Sequence, residues 1–194
     1  MKVLVVVDMQ NDFVDKALGT PEAQKIVPEV AEQIRNADSN TLILFTKDTH
    51  EQNYMDTLEG KNLPVPHCIK NTSGWNLNDD ICTAYGEVYS KVKHLDKILP
   101  YIEDTTYASV IEKPTFGSVE LQNILYAVDD VEKIEEITLV GLCTGICVLS
   151  NAILAKATLP EVPVNIIEKC CACVTPETHK TALEAMKLCQ INII

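Results

Sequence analysis

Four segments of this chain are apolar, largely β-branched runs too short to be helices: "KVLVVVD", "TLILFTKD", "EITLVGL" and "VPVNIIEK". Such runs lack the in–out alternation of a half-exposed strand, so each predicts a strand buried on both faces. Between them stand patterns of helical period. "TPEAQKIVPEVAEQIRNAD" offers Thr20 as N-cap, Pro21 at the first helical position, and Ile26, Val30 and Ile34 on one face. "SVELQNILYAV", "TGICVLSNAILAKA" and "TPETHKTALEAMKLC" read as three more helices, while "ASVIEKP" and the terminal "QINII" read as two shorter strands. Strands alternating with helices predict an α/β fold: three α/β/α layers around a mainly parallel, about six-stranded sheet. Residues 1–194 carry no repeat or linker and are read as one domain. The stretch from Asp48 to about Thr105 has Gly, Pro and Asn punctuation and is expected to form loops with one short helix.

Charge narrows the partners. The net charge is −12, with Arg35 the one arginine among 16 basic residues, which argues against nucleic acid and anionic membranes. No apolar run reaches the roughly 18 residues that span a bilayer, and "MKVLVVVD" ends on an aspartate without a small-residue cleavage site. Eight cysteines without a secretion signal fit free thiols in a reducing cytoplasm. "KCCAC" (Cys170, Cys171, Cys173) suits structural zinc poorly, because closed sites space their thiols as C-x2-4-C; packing at a strand end is the expected role. His94 and His179 are expected at the surface.

Parallel sheets bind ligands beyond the carboxyl ends of their strands. Those ends carry Asp8, then Asp48 and His50, then Lys113, then a turn with Cys143 and Cys147. Cysteines in apolar runs are usually packing, and reactivity requires a cation or base nearby. Lys113 would favour a thiolate, and Asp8 could take and return its proton. A His/Asp group leaving open positions suits Zn2+, Fe2+ or Mn2+.

"VVVDMQNDF", "TKDTH", "PHCIKNTSGW", "EKPTFG" and "VGLCTGICV", in this order, resemble the isochorismatase-like cysteine hydrolases, and among them the nicotinamidases, along essentially the whole chain. The resemblance implies a catalytic Asp8 and Lys113 and a nucleophilic Cys147, the last residue of a G-x-x-T-x-x-C motif. It makes Leu142–Cys143 a candidate cis peptide, aiming the Cys143 N–H beside that of Cys147 as an oxyanion hole. It implies one divalent metal, Zn2+ first, with Fe2+ or Mn2+ as alternatives, on Asp48, His50 and His67, holding the ring nitrogen of the substrate. Phe13 and Trp75 are expected to wall the substrate pocket.

Three positions depart from the pattern. Pro64 stands where an aromatic residue is usual, Asp56 where some members have a further metal histidine, and Gly145 where an acid is common. The implied activity is hydrolysis of a small carboxamide through a thioester, with nicotinamide the first substrate and NAD salvage the setting. Another small amide, or an N-carbamoyl or ureido compound, is the alternative; a thiol redox sensor is the reading from a different class. A vinyl-ether-cleaving isochorismatase would not use Cys147. Nothing in the sequence decides between a monomer and a homo-oligomer.

Overall fold

The computed structural model describes residues 1–101 and 109–194. Residues 102–108 lie outside the described residues; they hold the end of the irregular segment and Ala108 of the "ASVIEKP" run. Six strands form one sheet: β1 (Lys2–Val7), β2 (Thr41–Asp48), β3 (Val110–Lys113), β4 (Glu136–Leu142), β5 (Val164–Ala172) and β6 (Asn192–Ile193). Their order is β3-β2-β1-β4-β5-β6, and every neighbouring pair is parallel.

β1 shows why these runs are apolar on both faces. Its Val3, Val5 and Val7 enter one core with Leu42, Leu44, Ile137 and Leu139. Its Leu4 and Val6 enter the other with Ile43, Phe45 and Val140. Helices α2 (Pro21–Arg35) and α4 (Asp79–Val88) cover the second face; α6 (Val119–Val131), α7 (Leu149–Thr158) and α8 (Pro176–Leu188) cover the first. The expected Thr20 cap forms, its Oγ1 accepting from Ala23 N at 3.0 Å, and Ser118 Oγ caps α6 by accepting from Leu121 N at 3.0 Å. Thr175 opens α8 with a capping box closed by Thr178.

The irregular region holds more helix than expected. Besides α4 there are two short helices, α3 (Leu58–Asn62) and α5 (Leu95–Ile98), and a 3₁₀ turn at Tyr54–Asp56; α1 (Asn11–Val14) is equally short. These pieces carry too few periodic apolar residues to be visible as patterns. The predicted helix after β4 also differs at its start. Thr144–Val148 is a π-helical turn, with Val148 N donating to Cys143 O at 3.1 Å, and the α-helix begins only at Leu149.

Sheet order positions the site. From β1 the chain moves outward to β2 and β3, then returns to β1's other side for β4 and moves outward again. The crevice between the carboxyl ends of β1 and β4 is the switch point where such sheets bind ligands. Asp8 and the Cys143–Cys147 turn lie there. Gly141 sits at the closest approach: its φ is +116°, and a Cβ would come within 2.1 Å of Val7 O.

Candidate active site and metal cluster

Strand register brings Asp8, Asp48 and Lys113 together. Val7 pairs with Thr46, and Asp48 with Lys113. Asp8 adopts a left-handed φ of 48°, uncommon for a residue with a side chain, which turns it away from the strand line. Thr46 Oγ1 then donates to Asp8 Oδ1 at 2.6 Å. The other oxygen, Oδ2, lies 2.7 Å from Lys113 Nζ but receives no aligned hydrogen bond.

Lys113 is the hub. Its buried ammonium also reaches Asp48 Oδ1 at 3.4 Å, Thr115 O at 3.0 Å and Cys147 Sγ at 3.6 Å. Burial opposes its charge, but Asp8, Cys147 and Asp48 outweigh that and hold it firmly protonated. Asp8 moves up, chiefly by burial against the counteracting Lys113, which makes it a stronger base. The Cys147 thiol is also raised, by burial first and then by the Asp8 charge; Lys113 opposes this without reversing it. Lys113 is where the sequence reading places it, 3.6 Å from Sγ and favouring the thiolate, while desolvation of Cys147, a residue only 5% exposed, opposes it.

The Leu142–Cys143 peptide is cis. Cys143 is partly exposed in the cavity, with its thiol raised to about 12 by burial. Asn151 ties the nucleophile turn to the lysine loop. Its Nδ2 donates to Cys147 O at 2.8 Å and Phe116 O at 3.2 Å, and its Oδ1 accepts from Ser118 N at 2.9 Å. His179 is not a plain surface residue: its Nδ1 meets the hydroxyl of buried Thr144, first residue of the π turn, at 2.8 Å. An isolated histidine on an amphipathic helix gave no sign of this contact. His94 is partly buried, with its ring 4.3 Å from that of Tyr89.

Beside this group lies a second cluster. Asp48, His50, His67 and Glu59 present ligand atoms all within 4.8 Å of one another. His50 Nε2 is 3.0 Å and His67 Nε2 3.5 Å from Asp48 Oδ2; they lie 3.6 and 3.8 Å from Glu59 Oε1. Four ligand atoms about 2.1 Å from one ion would stand roughly 3–3.5 Å apart, so these separations are close to what one cation needs. Val65 O holds His67 Nδ1 at 2.8 Å, which fixes Nε2 towards the cluster. Burial, then the Asp48 charge, raises the Glu59 carboxyl, the mark of two carboxylates facing each other. Burial opposes ionisation of Asp48, but hydrogen bonds from both histidines hold it well below the usual carboxylate range. Two imidazoles and two carboxylates fit Zn2+, Fe2+ or Mn2+.

Glu59 is the residue the sequence reading missed. Asp56, which stands where some members have a further metal histidine, is exposed on the 3₁₀ turn. The available signal was Thr57, whose Oγ1 caps α3 from Gly60 N at 3.0 Å and so aims Glu59 inward. A cavity of about 300 Å³ joins the clusters, lined by Asp48, Glu59, His67, Cys143, Cys147, Phe13 and Phe116 among others. Phe13 is where the sequence expected it, 5.4 Å from the His67 ring. Trp75 is not in this cavity: its Nε1 donates to Thr49 Oγ1 at 2.8 Å and Lys47 Nζ covers its ring. Pro64 is exposed and also outside the lining, and Phe116 of "EKPTFG" supplies a second ring wall.

Fold and site define a class: a doubly wound α/β protein with cysteine, lysine and aspartate at its switch point, beside a two-histidine, two-carboxylate cluster. The chain belongs to the isochorismatase family; the Isochorismatase domain matches residues 2–95 and 85–194. It is 26% identical to a nicotinamidase of Saccharomyces cerevisiae, over all of this chain and 99% of that one. With an isochorismatase family protein of Bacillus subtilis it shares 31% identity over 78% of this chain and 76% of the relative. Among solved structures, a pyrazinamidase/nicotinamidase of Streptococcus mutans superposes with a TM-score of 0.77 at 24% identity, covering both chains fully. A pyrazinamidase of Pyrococcus horikoshii in complex with zinc gives 0.68 at 28% identity, over all of this chain and 98% of that one.

Proposed function

We infer that the protein is a metal-containing cysteine amidohydrolase that converts nicotinamide and water to nicotinate and ammonia, in the cytoplasm, as a step of NAD salvage. The observation that carries this reading is Lys113 Nζ bridging Asp8 and Cys147 beside the cavity that the two-histidine, two-carboxylate cluster also lines. When bound by Asp48, His50, Glu59 and His67, a divalent ion supplies a Lewis-acid contact for the ring nitrogen. Phe13 and Phe116 take the ring faces.

Cys147 Sγ attacks the carboxamide carbon as its proton passes to Asp8. The N–H groups of Cys143 and Cys147 receive the developing oxyanion. Collapse breaks the C–N bond, and Asp8 returns the proton to the departing nitrogen. Asp8 then takes a proton from the water that attacks the thioester, and the second collapse restores the thiol. Lys113 stays charged and holds both anionic forms in register.

The test is nicotinate formation by purified, Zn2+-loaded protein at millimolar nicotinamide. Turnover lost in Cys147→Ala supports the reading. Release of ammonia from another small amide but not from nicotinamide would move it to the alternative substrate. No amide hydrolysis at all would overturn it.

A further inference from the structure

The "DMQNDF" segment supplies Asp8 to the site, but its Gln10 and Asp12 are also buried and neither touches the cavity. Gln10 grips Asp48 from both sides. Its Oε1 accepts from Asp48 N at 2.7 Å, and its Nε2 donates to Asp48 O at 2.9 Å. The same Nε2 donates to Trp75 O at 2.9 Å, so both amide hydrogens are used. Asp12 Oδ2 accepts at 2.7 Å from the N–H of Cys68, the residue after His67. Cys68 is in the left-handed region, at φ 47°, which a residue with a side chain adopts only where its surroundings hold it. A Cβ on Gly74 would fall 2.1 Å from the Asp12 carboxylate, so that glycine leaves the carboxylate its room.

Backbone pairing joins these points. Asn11 N donates to Asn76 O at 3.0 Å and Asp12 N to Gly74 O at 2.9 Å. His50 N donates to Cys68 O at 3.0 Å and receives Lys70 N at 2.8 Å on its carbonyl. Asp48 at the end of β2, and His50 and His67 on the loops beyond, are thus tied to the "DMQNDF" segment, which supplies none of the four cluster residues.

We propose that Gln10 and Asp12 are positioning residues that preorganise the metal cluster, Gln10 through the backbone of Asp48 and Asp12 through the turn after His67. This rests on the metal reading above. Side chains that hold ligand segments without touching the ion change metal affinity by about 10–100-fold when removed.

Zn2+ affinity, measured by chelator competition on the purified full chain, tests this. Gln10→Met keeps the bulk and removes all three hydrogen bonds; it is expected to weaken Zn2+ at least tenfold. Asp12→Ala should do the same. Asp12→Asn retains an oxygen for Cys68 N and is expected to stay within about threefold of the parent. In the Gln10 variant, emission from Trp75, the one tryptophan, should shift to the red as its loop loosens. KM should rise more than kcat falls, and the alkylation rate of Cys147 should hold. A general loss of packing would lower the melting temperature of all three variants without sparing Asp12→Asn. If Gln10→Met does not fold, Gln10→Glu, which keeps the acceptor and loses both donors, takes its place. A parent protein that binds no divalent ion overturns the metal reading and this proposal together. A parent that binds Zn2+ tightly, with variants within twofold of it, overturns the proposal alone.

Discussion

A thiol buried against a carboxylate and an ammonium behaves unlike a typical reactive cysteine. Because burial and Asp8 raise Cys147, iodoacetamide should alkylate it slowly at pH 7, with a rate that climbs as pH passes above 9. A fast plateau below pH 7 would contradict the upward shift of the thiol. Cys147→Ala should abolish turnover, whereas Cys143→Ala should keep most of it, since Cys143 is needed for its backbone N–H. Steady-state kinetics on the two variants separates these roles. Asp8→Asn should cost about 10²-fold or more in kcat, as expected for a group that moves the proton twice. A redox sensor fits these residues poorly, because sensor thiols are exposed and readily ionised, while Cys147 is buried and burial pushes its thiol up.

Short elements carry much of the chemistry. α3 is only Leu58–Asn62, yet its Thr57 cap turns Glu59 towards both histidines. Glu59→Ala should weaken Zn2+ binding at least tenfold in the same chelator competition and leave Cys147 alkylation unchanged. At the β1–β4 junction, Gly141→Ala sets a Cβ against Val7 O at a positive φ. The cost should be about 3 kcal/mol or more, read as a lower urea midpoint, because both the backbone and the carbonyl contact must shift. Thr144, held by His179, anchors the π turn from α8. These contacts join elements far apart in sequence, which is why single-element patterns did not reveal them.

At the scale of the whole molecule, buried thiols link stability to pH. Burial raises Cys147, Cys68 and Cys171, takes Cys143 to about 12, and takes Cys170 to about 11. The unfolded chain releases these protons near pH 8.5, so the folded state binds more of them above that pH. This stability is fully present below about pH 8.5 and is lost as pH rises towards each folded-state value. Each fully buried thiol contributes at most about 1.4 kcal/mol per pH unit in that window. Melting temperature under reducing conditions should therefore fall between pH 8.5 and 10.5; a flat profile would contradict it. Saturating Zn2+ should act in the opposite sense, adding about 2.7 kcal/mol at 100 times its Kd, a rise of several degrees by calorimetry.

The sequence by itself determined the six strands, helices α2, α6, α7 and α8, and the residues at the strand ends. The reason is local: runs buried on both faces must be apolar throughout, and caps such as Thr20, Ser118 and Thr175 act on amides three residues away. Its strand ends also brought Asp8, Asp48, His50, Lys113 and the Cys143–Cys147 turn to one edge, since parallel strands deliver their carboxyl ends together; His67 and the choice of Cys147 came from the family resemblance. Only the tertiary structure decided the rest. Glu59 joins the metal cluster, Phe116 the cavity wall and His179 the nucleophile turn, while Trp75 leaves the cavity to pack under Lys47. None of these follows a period or a nearest-neighbour rule. Each depends on where a loop lands once distant strands have paired.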